Sequence, residues 1–201
     1  MFGKFFAFET IKKIEPFRVF ELVVVPISIL LLAPVFLISA LLIWLSSRGS
    51  VIFWSRRFGK DRKLFYMPKF RTMYTSAPLK DTNSLENPAS FVTPVGSVLR
   101  YFSVDELPQL WSVLVGDMSL VGPRPALETQ LELVALREKF RVNSIKPGIT
   151  GLAQINGRDG LTDEQKVMLD SKYLEKKSFI FDVSLIIKTI PKVFSRAGIT
   201  H

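Results

Sequence analysis

The sequence has no cysteine and a single histidine, and these absences narrow the chemistry open to it. Without cysteine, the chain can form no disulfide, offer no thiolate nucleophile and build no cysteine-ligated zinc site. The one histidine, His201, lies at the very end of the sequence, which nearly excludes a catalytic triad or a metal site based on histidine. Catalysis must therefore rest on carboxylates, amines or hydroxyls.

Acidic residues are also scarce relative to basic ones. The chain has 18 Asp and Glu against 27 Lys and Arg, a formal net charge of +9. This excess indicates an anionic partner, and composition alone leaves nucleic acid, anionic lipid headgroups and phosphorylated small molecules open. Because 48% of the residues are nevertheless hydrophobic, apolar residues and charges must be segregated along the chain.

An uncharged run from Leu22 to Leu45 is long enough to reach across a hydrocarbon core as a helix. Basic residues flank it on both sides, which disagrees with a simple span, since Lys and Arg favour one side of a membrane. Pro26 and Pro34 each remove a helical hydrogen bond within the run. A kinked helix that enters the membrane and returns to the same face accounts for both features. A single-pass helix with a tolerated proline kink is the alternative.

The whole chain is predicted to be helix-rich α+β, in three segments. Residues 1–21 form an amphipathic lead-in, residues 22–47 the membrane element, and residues 48–201 a cytosolic catalytic domain with interfacial amphipathic helices. A short β-hairpin is predicted around Gly59. Its basic stripe favours contact with lipid or phosphate over nucleic acid. The tail over residues 179–194 fits an interfacial helix and a core helix equally well.

The stretch from Arg100 to Pro125 carries two adjacent carboxylates, Asp105 and Glu106, ahead of an amphipathic helix. If Ser103 is the N-cap, Glu106 completes a capping box, but Pro108 falls one turn inside the helix. If Asp105 is the N-cap, Pro108 lies where no N–H is needed. We favour Asp105 because of this position of Pro108, and the helix end would then keep the Asp105 carboxylate ionised beside a bound phosphate.

An Asp-Glu pair at a helix start is by itself ordinary capping, but its neighbours indicate chemistry on a phosphate. Arg100 lies upstream, and a Pro-Arg-Pro turn downstream holds Arg124 in a rigid geometry suited to bidentate phosphate binding. Neighbouring carboxylates repel each other unless a cation intervenes, which predicts Mg²⁺ with Asp105 and Glu106 as ligands. An ionised carboxylate beside a phosphate is also suited to nucleophilic attack on phosphorus.

Three strings of the sequence resemble, in the same order, motifs of the bacterial sugar transferase family, the monotopic polyprenol-phosphate phosphoglycosyl transferases. They are KFRTM from Lys69 to Met73, LRxxSVDELPQLWSVLVGDMSLVGPRP ending at Pro125, and KPGITGLAQINGRDG from Lys146 to Gly160. The resemblance extends over nearly the whole chain, and agreement of three such strings by chance is remote.

The resemblance implies transfer of a sugar 1-phosphate from a UDP-sugar to a polyprenol phosphate of the undecaprenyl type, with release of UMP and Mg²⁺ as cofactor. It makes Asp105 the nucleophile of a covalent aspartyl phosphosugar intermediate, and Glu106 a support for the metal or for proton transfer. Phosphate binding is assigned to Arg100, Arg124 and Lys69. Weaker candidates for the nucleotide-sugar side are Gln154, Asn156, Arg158 and Asp170.

The resemblance also implies a broken helix that re-enters the cytoplasmic leaflet of the bacterial cytoplasmic membrane, with the catalytic domain on the cytoplasmic face. The break is expected at Ala33-Pro34, where the family usually has Ser-Pro. Glu21 stands where an Asp usually closes the lead-in helix, and Lys172 replaces a common aromatic residue. The expected partners are a UDP-sugar, polyprenol phosphate, inner-leaflet lipid and downstream glycosyltransferases, without nucleic acid.

Two other functions stay open from the sequence. A membrane-bound hydrolase of nucleotide or lipid diphosphates would use the same carboxylates and metal, with water as the acceptor. A non-enzymatic basic scaffold at the membrane surface would bind anionic lipid or a partner glycosyltransferase, and its membrane binding would be indifferent to Asp105 and Glu106.

Overall fold

The computed structural model describes residues 15–78, 87–157 and 160–195. Within these ranges the chain forms eight α-helices and two small two-stranded sheets. The helix-rich α+β class is therefore confirmed. Most of the amphipathic lead-in, Arg158 and His201 lie outside the described residues, so the predictions that rest on them stay predictions.

The N-terminal element is a pair of helices, α1 (Pro16–Leu31) and α2 (Ala33–Ser46), bent by 56° at Leu32. No single helix in the described ranges is long and apolar enough to cross a membrane, whereas this bent pair together has the length and composition to do so. The bend lies directly before Ala33 and Pro34, the first residues of α2. Proline explains its position, because the ring has no N–H and crowds the preceding turn.

One side of the helix pair packs on the rest of the protein and the other side is bare. Val25 of α1 and Ile43 of α2 are each only 1% exposed. In contrast, Leu30, Leu31 and Leu37 around the bend are 75%, 73% and 72% exposed. A contiguous apolar surface of this kind marks an interaction with a membrane or a partner.

Two charged residues bond α1 to the rest of the molecule. Arg18 donates to two carbonyls near the end of α4 (Gln109–Val115), at 2.6 and 2.9 Å. The buried Glu21 accepts from Ser119 Oγ at 2.5 Å and from the Leu120 N–H at 2.8 Å. Arg18 also pairs with Glu21 at 3.2 Å. The helix that leads into the bend is therefore held from two sides.

The predicted hairpin is present as β1 (Ile52–Phe58) and β2 (Leu64–Phe70), which pair antiparallel. Ser55 lies opposite Met67, and Arg57 opposite Phe65. Because side chains alternate along a strand, one face of the hairpin, turned toward α4, carries Ser55, Arg57, Met67 and Lys69. Arg56 lies on the other face and pairs with Glu128 on the surface.

After the hairpin, the chain forms two helices and then the first strand of a second sheet. A helix, α3 (Pro94–Tyr101), is followed by α4 and by β3 (Ser119–Val121), which pairs in parallel with β4 (Gly148–Thr150). Gly116, at a φ of 95°, ends α4 as the sequence predicts. Helix α5 (Leu131–Lys139) connects the two strands.

Three further helices pack behind the second sheet: α6 (Leu152–Ile155), α7 (Asp163–Lys176) and α8 (Phe179–Ser195). The buried Tyr173 donates to Asp182 at 2.7 Å and lies 3.3 Å from the carbonyl of Val121, which ties α7 and α8 to β3. Helix α8 buries Leu185 but leaves Ile180 exposed. Its inner face is therefore core, and its outer face remains available for an interface.

Candidate active site

Asp105 and Glu106 lie in a 3₁₀ turn, Val104–Glu106, and not at the start of α4. The predicted N-cap role of Asp105 is wrong, and the alternative capping box from Ser103 is absent, since neither helix start has a side-chain cap. The chain continues through short-range bonds, such as the Leu110 N–H to the Leu107 carbonyl at 3.0 Å. Pro108 has no N–H to give, and the regular helix begins just after it.

The two carboxylates are not stabilised by capping the N-terminus of α4. Because α4 begins at Gln109, its positive end lies past Glu106, and Asp105 does not cap it. The surrounding cations come from side chains that are distant in sequence. Their arrangement therefore defines the site.

Glu106 is held by two of the predicted phosphate-binding residues. Lys69 Nζ donates to Glu106 Oε1 at 2.9 Å, and both terminal nitrogens of Arg124 lie 3.4 Å from the same oxygen. The side chains of Lys69 and Glu106 are only 17% and 13% exposed, so water screens their attraction little. Strand β2, the 3₁₀ turn and the Pro-Arg-Pro turn meet at this carboxylate.

Asp105 is half-buried and lies within electrostatic reach of Lys69 and Arg100. Burial lowers the pKa of Lys69, and the charges of Glu106 and Asp105 oppose that shift. Burial likewise lowers the pKa of Arg100, and the charge of Asp105 again opposes it. Two cations therefore act electrostatically on Asp105, which suits a carboxylate that must meet a phosphate.

Arg100 is positioned by the close approach of α3 to the end of β2. Its Nε donates to Thr72 Oγ1 at 2.8 Å. At the start of the helix, the Gly96 N–H donates to Thr93 Oγ1 at 2.9 Å. A Cβ on Gly96 would lie 2.0 Å from the Thr72 carbonyl oxygen, so only glycine permits this contact.

The Pro-Arg-Pro turn is held from behind by a buried ion pair. Arg137 donates to the Arg124 carbonyl at 2.9 Å and to Asp170 Oδ2 at 2.9 Å. Asp170 is 1% exposed, so the structure puts this nucleotide-sugar candidate behind the turn and not in an open cleft. Sequence reasoning missed Arg137, which lies on α5 among other charged residues with no local signal of its partner.

Of the remaining nucleotide-sugar candidates, the structure describes Gln154 and Asn156, and both donate to backbone carbonyls. Gln154 donates through Nε2 to the Gly122 carbonyl at 3.2 Å, and its Oε1 is buried without a hydrogen-bond partner. Asn156 is exposed and donates to the Leu152 carbonyl at 2.7 Å. Both lie on or beside α6, and Gln154 contacts the residue directly before the Pro-Arg-Pro turn. Their role toward a nucleotide sugar stays a prediction.

A small cleft is lined by Lys69 and Arg124, the two residues that contact Glu106, and by one cation that the sequence motifs did not assign to the site. This residue is Arg57, on the same hairpin face as Lys69. The alternation of the hairpin was the available signal, because it separates Arg57 from its neighbour Arg56. The residues that line the cleft are Arg57, Met67, Lys69, Gln109, Arg124, Pro125 and Gly148.

The donor set suits a metal that is shared with substrate. Among the described residues, no group of three or more His, Cys, Asp or Glu side chains could hold a metal ion. Mg²⁺ is commonly bound by one or two carboxylates together with substrate phosphates and water. Asp105 and Glu106 fit that pattern as candidate ligands.

The chain is similar in sequence to known proteins over most of its length. The family described as bacterial sugar transferase matches residues 14–196. The exopolysaccharide production protein ExoY of Sinorhizobium fredii (strain NBRC 101917 / NGR234) is 37% identical over 196 residues, covering 90% of this chain and 86% of that protein.

Two relatives carry the name UDP-glucose:undecaprenyl-phosphate glucose-1-phosphate transferase. The protein of Escherichia coli (strain K12) is 39% identical over 88% of this chain and 40% of its own length. The protein of Caulobacter vibrioides is 36% identical over 89% of this chain and 69% of its own length. Since the family match runs from before α1 to the end of α8 and includes every residue of the carboxylate site, the chain belongs to the bacterial sugar transferase family.

Proposed function

We propose that this sugar transferase moves a sugar 1-phosphate from a UDP-sugar to a polyprenol phosphate, releasing UMP and forming a polyprenol-diphosphate sugar. Two relatives are named for this reaction with UDP-glucose and undecaprenyl phosphate. The observation that carries the proposal is the meeting of Lys69 and Arg124 at the adjacent carboxylates Asp105 and Glu106. Such a site combines an attacking carboxylate with cations for a phosphate.

In the first proposed step, a carboxylate oxygen of Asp105 attacks the β-phosphorus of the UDP-sugar. A bond forms between that oxygen and phosphorus, and the bond from phosphorus to the bridging oxygen breaks. UMP leaves with the bridging oxygen and its electron pair. Lys69, Arg100 and Arg124 counter the negative charge that this attack brings together. Mg²⁺, held by Asp105 with Glu106, would neutralise diphosphate charge when bound.

In the second proposed step, an oxygen of the polyprenol phosphate attacks the same phosphorus. The new phosphorus–oxygen bond forms the diphosphate, and the bond to Asp105 breaks, which restores the carboxylate. In each step one of the attacking and leaving oxygens belongs to the Asp105 carboxylate and the other to an ionised phosphate, so neither step requires a proton carrier. We therefore assign Glu106 to the positioning of Lys69 and Arg124, in line with its contacts to both.

We also propose that α1 and α2 enter the cytoplasmic leaflet of the bacterial cytoplasmic membrane and return. The 56° bend, the exposed leucines around it and the basic residues on both flanks support this arrangement. The catalytic domain, residues 48–201, would then lie on the cytoplasmic face. There it meets lipid phosphate within the leaflet and passes its product to downstream glycosyltransferases.

The nucleophile is tested by Asp105→Asn, because an amide cannot attack phosphorus. With UDP-glucose, Mg²⁺ and undecaprenyl phosphate in detergent, we expect UMP release to fall by about 10³-fold or more. Asp163→Asn is the matched control, since Asp163 is a surface residue paired with Lys166, and it should keep full activity. Near-normal turnover in Asp105→Asn would refute the nucleophile assignment.

Product analysis separates the proposed transferase from the other two functions. Without acceptor, the transferase should release about one equivalent of UMP and retain sugar phosphate on the protein. Continued UMP release with free sugar 1-phosphate would identify a hydrolase. Because the sequence does not specify which UDP-sugar is the substrate, the assay uses a panel of UDP-sugars. Absence of UMP release with all of them would favour the non-enzymatic membrane scaffold.

A further inference from the structure

We propose that Arg57 is a third phosphate-binding residue of the cleft, acting with Lys69 and Arg124 on one phosphate-bearing substrate. The inference rests on the proposed function and deepens it, because it adds a residue to the site that binds the transferred or accepting phosphate. Three independent features of the structure carry it: the hairpin face, the contacts of the guanidinium and the local balance of charge.

The hairpin turns Arg57 and Lys69 to the same side. Arg57 is in β1 opposite Phe65, and Lys69 is in β2 opposite Phe53. Both positions share the face of the buried Ser55 and Met67. Both residues line the same cleft, together with Arg124. Arg57 therefore lies beside the two residues of the cleft already assigned to phosphate binding.

The guanidinium of Arg57 is held in a fixed orientation. Its Nε donates to Ser55 Oγ at 2.8 Å, and one terminal nitrogen donates to the Pro125 carbonyl at 3.2 Å. The second contact joins β1 to the turn that carries Arg124. A planar guanidinium fixed in this way loses little conformational freedom when it binds a phosphate, and it can present paired N–H groups.

The charges of the cleft favour an anion with more than one negative charge. Arg57, Lys69 and Arg124 line the same cleft, and Lys69 and Arg124 both contact Glu106 there. Three cations gathered in one cleft attract an anion such as a phosphate monoester or a diphosphate.

Two substrates of the proposed reaction carry such a group, the soluble UDP-sugar and the lipid phosphate. The experiment measures both on the detergent-solubilised full chain by titration calorimetry with Mg²⁺ present. Inorganic pyrophosphate is the soluble probe, and farnesyl phosphate in the same micelles is the lipid probe. The variants are Arg57→Ala and Arg56→Ala, which remove the same charge from adjacent positions on opposite hairpin faces.

We expect Arg57→Ala to weaken binding of at least one probe by about 10- to 100-fold, the usual effect of losing a charge-assisted hydrogen bond. Arg56→Ala should stay within about twofold, because its partner is an exposed glutamate. Loss for pyrophosphate assigns Arg57 to the donor, and loss for farnesyl phosphate assigns it to the acceptor. Equal affinities in the two variants, or a wild-type chain that binds neither probe, would overturn the inference.

Two more variants distinguish phosphate binding by Arg57 from a structural role in holding the turn that carries Arg124. They also replace Arg57→Ala in the experiment if that variant does not fold. Arg57→Lys keeps the charge and should recover part of the lost affinity. Arg57→Gln keeps donors for Pro125 but no charge, and should bind as weakly as Arg57→Ala; full affinity in this variant would show that Arg57 only braces the turn. Since binding is read without turnover, failure of the transferase assay would leave this result standing.

Discussion

Asp105 and Glu106 are adjacent in sequence, yet their side chains meet different neighbours. Glu106 accepts from Lys69 and faces Arg124, whereas Asp105 is within electrostatic reach of both Lys69 and Arg100. Two carboxylates of similar intrinsic acidity thus take separate proposed roles because of cations contributed by distant segments. The division places the reacting oxygen on Asp105 and the organising charge on Glu106.

Arg137 provides a residue-level test of how the Arg124 turn is held. Arg137→Met leaves Asp170 buried without its partner and should lower the free energy of unfolding by about 3–5 kcal/mol. The double variant Arg137→Met/Asp170→Leu should recover most of that loss, since apolar pairs replace buried ion pairs well. It should still lose roughly tenfold in kcat/KM, because the Arg124 carbonyl loses its hydrogen bond. Urea unfolding and UMP release measure the two effects.

Full activity in that double variant would contradict a positioning role for Arg137. Recovery of neither stability nor activity would instead mean that the two side chains cannot be replaced by apolar ones at this site. The distinction matters because Asp170 was a nucleotide-sugar candidate in the sequence, while the structure pairs it with Arg137.

At the level of single residues, sequence motifs selected side chains that lie near one another in the structure but did not predict how they are arranged. Lys69, Arg100, Arg124, Asp105 and Glu106 were named from motifs, and the structure brings them together. The N-cap geometry was wrong, because local capping rules did not anticipate a 3₁₀ turn ahead of Pro108. Partners such as Arg137 and Asp170 are 33 residues apart, and no local pattern joins them.

The contact between α3 and the end of β2 sets the position of Arg100, and it depends on one glycine. Gly96→Ala would place a Cβ against the Thr72 backbone and push the helix away. We expect a loss of about 1–3 kcal/mol in unfolding free energy and lower kcat/KM, since Arg100 would leave Thr72 Oγ1. Gly160→Ala is the control, because a Cβ there has no heavy atom within 4 Å. Equal stability and activity in the two variants would contradict this account.

Among the elements, those specified by local signals were predicted and those specified by long-range pairing were not. The hairpin around Gly59 and the end of α4 at Gly116 follow from adjacent residues, and both are present. The capping box of Thr162 with Gln165 is a local feature of the same kind. The second sheet was not predicted as a pair. Its strand β4 lies in a short Gly-rich segment that resembles a turn, and it is a strand only because β3 lies beside it.

The placement of the whole molecule on a membrane can be tested by labelling, and the absence of cysteine makes the experiment simple. Single cysteines at Glu15 and Lys60, both exposed, should react with a membrane-impermeant maleimide from the same side of inverted inner-membrane vesicles. A cysteine at Leu37, on the bare side of α2, should react only after detergent is added. Labelling of the Glu15 and Lys60 positions from opposite sides would refute the re-entrant arrangement.

The bonds that Arg18 and Glu21 make with α4 and β3 tie the helix pair to the elements on either side of the site. In the proposed membrane position, these bonds keep the cleft at a constant height and tilt above the headgroups. A lipid phosphate would then arrive by lateral diffusion within the leaflet. Acceptors would be selected by the depth of their phosphate as well as by their chemistry.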